Sequence, residues 1–170
     1  MRIKKSKNPK ISLLIPAYKN SYGVERILKY IPKNLLENED LDVIISDDSP
    51  EDSVLNNLSQ KYKIKGINFL SGPKKGAAIN WNFMLKHSNG RWIQFIHHDE
   101  SPLNSNFFTD LISAPLILDK NYFHSCYLKR ENYYRLHSSK QFSNFFLKYY
   151  PKFLLSRNFI GSPSCVLIAR

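Results

Sequence analysis

Short apolar runs alternate with amphipathic stretches along most of this chain. Ile11-Ser12-Leu13-Leu14-Ile15 is a compact apolar run stopped by Pro16, the pattern of a buried strand. From about Tyr22 to Leu36, Val24, Ile27, Leu28, Ile31 and Leu35 recur at helical spacing, and Pro32 is expected to kink or shorten that helix. Leu41 to Ile45 reads as a second strand running to Asp47, after which Asp52 or Ser53 suits the cap of a helix to about Tyr62. Ile67 to Leu70 makes a third strand, and Gly72-Pro73 marks a turn. Gly76 to about His87 is then helical, and Trp92 to Ile96 is a fourth strand ending at His97-His98.

Strands alternating with helices through short connections predict an α/β fold: a mainly parallel central sheet with helices on both faces. In such a sheet ligands bind at the carboxyl ends of the strands. Further on, a helix is expected from Asn104 to about Leu111–Ala114, where Pro115 ends or bends it. Tyr122–Leu128 resembles a strand, Phe142–Leu155 has helical aromatic spacing, and Ser164–Ala169 reads as a last strand. A chain that stops inside a strand without a polar tail reads as one cut short. The expected organisation is a basic arm over residues 1–10 and a single domain over 11–170, without internal repeats.

At 170 residues, with 42% hydrophobic and 14% aromatic positions, the chain is long and apolar enough for one well-buried core, which excludes general disorder. The net charge of +11 changes the picture more, because a positive field favours anionic partners. Part of it lies in Arg2, Lys4, Lys5, Lys7 and Lys10, a solvated arm or an electrostatic contact with an anionic membrane surface. No apolar run reaches the roughly 20 residues of a membrane span, and no signal-peptide core follows the basic start. Cys126 and Cys165 have no metal or redox spacing and read as free thiols. A cytoplasmic protein is expected, peripheral at most to the inner membrane face.

The candidate chemistry sits after the strands. Asp47 and Asp48 follow the second one. Acidic residues there commonly satisfy turn amides or cap a helix, but a carboxylate also suits the imide N–H of a uracil, because it accepts without a competing donor. At the end of the first strand, Pro16, Ala17 and Tyr18 provide a fixed chain direction and a ring that either stacks on a base or packs. Gly72-Pro73-Lys74-Lys75-Gly76 feeds a helix N-terminus, where free amides favour phosphate, although the sequence is not a P-loop. Ala78, Trp81 and Leu85 share one face of the following helix, with Asn82 beside it. His97-His98-Asp99-Glu100 is the sharpest cluster. A divalent ion on a diphosphate needs few protein ligands, so Asp99 with a neighbour suffices, and imidazole accepts Mn²⁺ more readily than Mg²⁺.

Four landmarks in register resemble family 2 glycosyltransferases of the GT-A (Rossmann-like) fold. They are Ile15 to Asn20; Ile45 to Asp52; Gly76 to Asn82 leading through Gly90-Arg91-Trp92-Ile93 to His97-His98-Asp99; and Gly161-Ser162-Pro163-Ser164. The resemblance covers about Lys10 to Arg170, with a nucleotide-binding half over 11–100 and an incomplete acceptor half over 101–170. It implies inverting transfer of a sugar from a nucleotide diphosphate, most often UDP, to an acceptor hydroxyl on a glycan or lipid carrier in surface polysaccharide or glycolipid synthesis. Pro16, Ala17, Tyr18, Asp47, Asp48, Gly76 and Asn82 would then hold the nucleotide. Asp99 and His97 would hold Mn²⁺ or Mg²⁺. His97 stands where the family's metal motif carries a first Asp, and the family's catalytic carboxylate would lie beyond Arg170, so the general base is unassigned.

Two other classes compete. One is a truncated or non-catalytic protein that binds nucleotide sugars without transferring them. The other is a basic nucleic-acid module, for which Tyr133, Tyr134, Arg135, Lys148, Tyr149 and Tyr150 provide a faint aromatic-basic pattern. A nucleic-acid partner is not expected. A nucleotidyltransferase would carry a Gly-rich phosphate loop after the first strand, and none is present.

Overall fold

A computed structural model describes residues 10–102, 104–113, 123–125, 128–130, 133–134 and 166–169. Most of the basic arm, the Phe142–Leu155 stretch and the Gly161-Ser164 landmark lie outside them. In chain order the elements are β1 (Ile11–Ala17), α1 (Ser21–Leu28), α2 (Lys33–Glu37), β2 (Leu41–Asp47), α3 (Ser53–Leu58), β3 (Ile67–Ser71), α4 (Ala77–His87) and β4 (Trp92–Phe95). After these come β5 (Glu100–Pro102), α5 (Phe107–Ser113), β6 (Phe123–Ser125), β7 (Leu128–Arg130), β8 (Tyr133–Tyr134) and β9 (Val166–Ala169).

The main sheet has the order β3-β2-β1-β4-β9-β6. Its first four strands are mutually parallel, β9 runs antiparallel to β4, and β6, antiparallel to β9, forms the edge. In this register Ala17 lies beside Asp47, and Asp47 beside Ser71, so β1, β2 and β3 end level. That shared edge carries the site.

Alternation along each strand serves two cores at once. Ile11, Leu13, Ile15, Val43 and Ile45 face one side, where Val24 and Ile27 of α1, Leu36 of α2, Val54 of α3 and Phe108 of α5 meet them. Leu14, Ile44, Ile93 and Phe95 face the other side, against Met84 and Trp81 of α4. Each such aliphatic side chain contributes about 1.5–3 kcal/mol when fully buried. Helices therefore pack on both faces, as the alternating pattern predicts.

Pro32 breaks the long amphipathic stretch in two. Its φ of −65° and ψ of 132° are extended, and it stands at the N-cap of α2. At the opposite edge of the sheet, Gly90 N donates to Ser12 Oγ at 2.7 Å, and Ser12 Oγ donates to Asp42 Oδ2 at 3.1 Å. A Cβ on Gly90 would lie 2.2 Å from Ser12 N, so only glycine lets the chain enter β4 this close to β1.

Two readings require correction, and one small sheet was not foreseen. Asp52 occupies the N-cap position of α3, yet its backbone is left-handed (φ 48°) and its side chain makes no capping bond. The expected strand over Tyr122–Leu128 is two, β6 and β7, in different sheets. Finally, β5 and β8 join β7 in a small separate sheet whose members are too short to leave a periodic signal. Among the described residues no helix is long and apolar enough to cross a membrane.

Candidate functional site

The level ends of β1 and β2, the start of α4 and the turn after β4 enclose a cavity of about 680 Å³. Its wall includes Pro16, Ala17 and Tyr18 from the first strand end, Asp48 from the second, Gly76 from the helix start, and His97 and His98 from the fourth. These segments, far apart in sequence, meet because parallel strands in register deliver their carboxyl ends to one edge.

Asp47 and Asp48 divide the work. Asp47 is 1% exposed and lies beneath the cavity. Its Oδ2 accepts Val54 N at 2.7 Å and Leu55 N at 3.0 Å, while Oδ1 accepts Ser49 N at 3.1 Å and the Ser49 hydroxyl. It thus satisfies the free amides at the start of α3, the cap that local reading gave to Asp52 or Ser53. Asp48 points the other way. Its Oδ1 accepts Lys74 N at 2.5 Å and its Oδ2 accepts Gly76 N at 3.0 Å.

The amides expected to be free for phosphate at the head of α4 are therefore partly occupied by an internal anion. The loop between is held tightly. Gly72 N donates to Asp47 O at 2.8 Å, and a Cβ on Gly72 would come within 2.9 Å of that oxygen. Lys74 adopts a left-handed φ of 57°, and its Nζ meets Asp52 Oδ2 and Pro50 O, each at 3.0 Å. This contact with Lys74, helped by the Ser71 hydroxyl, holds the Asp52 carboxyl below its ordinary range. Lys74 is thus a tethered cation on the cavity wall, whereas Lys75 is exposed and outside it.

Helix α4 is rotated relative to the expected face. Ala78 and Asn82 are exposed, Ile79 is 47% exposed and Leu85 36%, while Asn80 and Met84 are buried. The polar residue at the site is Asn80. Ser46 Oγ donates to its Oδ1 at 2.5 Å, and its Nδ2 donates to Ser46 O at 3.3 Å. Both Asn80 and Trp81 line the cavity, and Asn82 does not. Ser46, a polar residue within an apolar run, was the available signal that β2 needed a polar partner.

At the turn after β4, the His97 ring packs against Trp81 with centroids 5.2 Å apart. His98 Nδ1 lies 3.1 Å from Pro16 O. A carbonyl only accepts, so Nδ1 carries the hydrogen in this bond. Asp99 follows on the same turn, half-buried and outside the cavity wall. Glu100 is buried, and its Oε2 accepts His97 N at 3.2 Å, fixing the turn's shape. Of the residues expected to hold a nucleotide or metal, the fold brings Pro16, Ala17, Tyr18, Asp48, Gly76 and His97 to one space. Asp47 lies below it, Asp99 beside it and Asn82 away from it.

Among the described residues no three His, Cys, Asp or Glu side chains gather into a cage sufficient for an ion.

Comparison with known proteins agrees with this architecture. Among curated proteins nothing matches the chain. Among solved structures, TarS 1-349 of S. aureus is similar at 19% identity and a TM-score of 0.50, over 60% of this chain and 31% of that one. The mannosyltransferase PcManGT from Pyrobaculum calidifontis, solved with GDP-Man and Mn²⁺, is similar at 16% identity and a TM-score of 0.53, over 82% of this chain and 39% of that one. This chain thus spans about a third of the length of these neighbours. The fold they share with it is GT-A. The family model for Glycosyl transferase family 2 matches residues 12–170, and with that span the chain belongs to this family.

Proposed function

We propose that the cavity binds a nucleotide-diphosphate sugar, UDP-linked, for inverting transfer of the sugar to an acceptor hydroxyl on a glycan or lipid-linked carrier. The observation that carries this is the convergence of Tyr18, Asp48, the start of α4 and the His97-His98 turn on one space. Tyr18 is 49% exposed, which leaves ring surface for a base. The second lone pair on an Asp48 oxygen suits an imide N–H.

Asp99 and His97, with His98 beside them, would hold Mn²⁺ or Mg²⁺ against the diphosphate. When bound, such an ion neutralises charge that builds on the leaving phosphate. PcManGT was solved with Mn²⁺ and a nucleotide sugar, which supports the same pairing here. Surface polysaccharide or glycolipid synthesis fits the family, and cytoplasmic placement at an anionic membrane face fits the basic arm.

A binding-only reading has one observation in its favour. Among the described residues the carboxylate on the cavity wall is Asp48, and both its oxygens already accept backbone amides. That residue is poorly placed to take a proton from an acceptor. Calorimetric titration with UDP, with and without Mn²⁺, followed by a donor-consumption assay separates the readings. Metal-enhanced UDP binding with turnover supports transfer, binding without turnover supports the second reading, and no binding removes both.

A further inference from the structure

We infer that Asn20 is a positioning residue that fixes the His97–Asp99 turn from the first helix. The inference rests on the reading that this turn meets the donor's cation. Asn20 caps α1, its Oδ1 accepting Gly23 N at 2.9 Å, while its Nδ2 donates to His98 O at 3.4 Å. Because Oδ1 faces an N–H and Nδ2 faces a carbonyl, the amide has one orientation that satisfies both partners.

Gly23 completes the clamp. A Cβ there would lie 1.9 Å from His98 O and 2.7 Å from Asn20 Nδ2, so α1 approaches the turn at backbone distance. On the other flank the turn is held by the bond between His98 Nδ1 and Pro16 O. The His98 residue is thus fixed at its ring by the end of β1 and at its carbonyl by the cap of α1. Both fixings arise from the segment between Pro16 and Gly23, and they set where the neighbouring His97 and Asp99 are presented. Groups that orient metal ligands commonly change metal affinity when altered, without touching the metal.

The discriminating variant is Asn20→Asp. Aspartate caps a helix as well as asparagine, so the bond to Gly23 N survives and stability should be retained. Its second oxygen, however, faces the His98 carbonyl, and acceptor against acceptor repels. Gly23→Ala probes the same contact, but the collision it creates would mix misfolding with the effect sought.

The experiment is calorimetry of UDP binding with and without Mn²⁺, on the whole chain and on Asn20→Asp, with melting midpoints for both. The expected result is a chain that still melts cooperatively, unchanged metal-free UDP affinity, and a loss of about tenfold or more in the Mn²⁺-dependent gain. If the original chain shows a Mn²⁺ gain and Asn20→Asp keeps it, the clamp is overturned while the site stands. If the variant loses metal-free and metal-dependent binding alike, Asn20 supports the whole cavity rather than this turn, and the positioning role fails. If the original chain binds UDP without any Mn²⁺ gain, the reading of the turn fails first, and the clamp with it.

Discussion

Asp48 reaches the head of helix α4, where the Gly76 backbone N–H donates to its Oδ2 at 3.0 Å. One carboxylate thereby joins the end of β2 to the start of α4 and stands on the wall between them. Its neighbour Asp47 turns inward, so consecutive residues of one strand end bond to different helix starts, Asp47 to α3 and Asp48 to α4.

Replacing Asp47 should therefore cost stability before it costs binding. Asp47→Ala leaves the Val54, Leu55 and Ser49 amides without their acceptor, and each bond to a charged group is worth about 1.5–3 kcal/mol. We expect a large fall in the urea midpoint. An unchanged midpoint would show that α3 is capped by something else.

Asp48→Ala should weaken UDP binding even without metal, by about tenfold to a hundredfold for one charge-assisted contact. It also frees the Lys74 and Gly76 amides, so inorganic phosphate should bind the variant better than the original chain. Equal UDP affinity in both proteins would take Asp48 out of the site.

Asp42 gives a pH signature. Burial at the far edge of the sheet pushes its carboxyl above the ordinary aspartate range, opposed by hydrogen bonds from Ser12 and Asn68. A raised folded value means that its contribution to stability is complete in acid, below the unfolded value. The contribution declines as pH rises through the elevated folded value. Asp42→Asn lacks this titration. Its melting midpoint should gain on that of the original chain as pH is raised from acid toward neutrality, and parallel curves would contradict the assignment.

Gly90→Ala tests the fold independently of the site. Its Cβ would meet Ser12 N at 2.2 Å, so β4 must shift away from β1. Overpacking of this kind typically costs 1–3 kcal/mol or more. A variant with an unaltered thermal midpoint would show that the entry to β4 is looser than described.

The strand-helix alternation was legible because each strand is a short apolar run with its own stop signal, such as Pro16 after Ile15. The phase of α4 was not. Both an Ala78-Trp81-Leu85 stripe and an Asn80-Trp81-Met84 stripe are available on the wheel. Only the buried Ser46 of the neighbouring strand decides for the second. The cap of α3 was equally hidden, since Asp47 acts across seven residues rather than from the adjacent position. His97 and Asp48 were readable as residues of the strand-end cavity because polar side chains directly after a buried strand have few other places to go. The small sheet of β5, β7 and β8 left no pattern, its strands being only two or three residues long.

Asp99→Asn should remove the metal-dependent part of UDP binding while leaving the melting midpoint unchanged, because the residue lies on a half-buried turn outside the cores. Retained Mn²⁺ enhancement in this variant would move the cation elsewhere.

The most direct measurement is a crystal structure of the chain with UDP and Mn²⁺. The predicted result is a uracil ring against Tyr18 and Asp48, with the diphosphate and one ion at the His97–Asp99 turn. A nucleotide bound outside the Pro16–Tyr18, Asp48 and His97–His98 wall, or an ion on the far side of the sheet, would contradict the assignment of this cavity as the donor site.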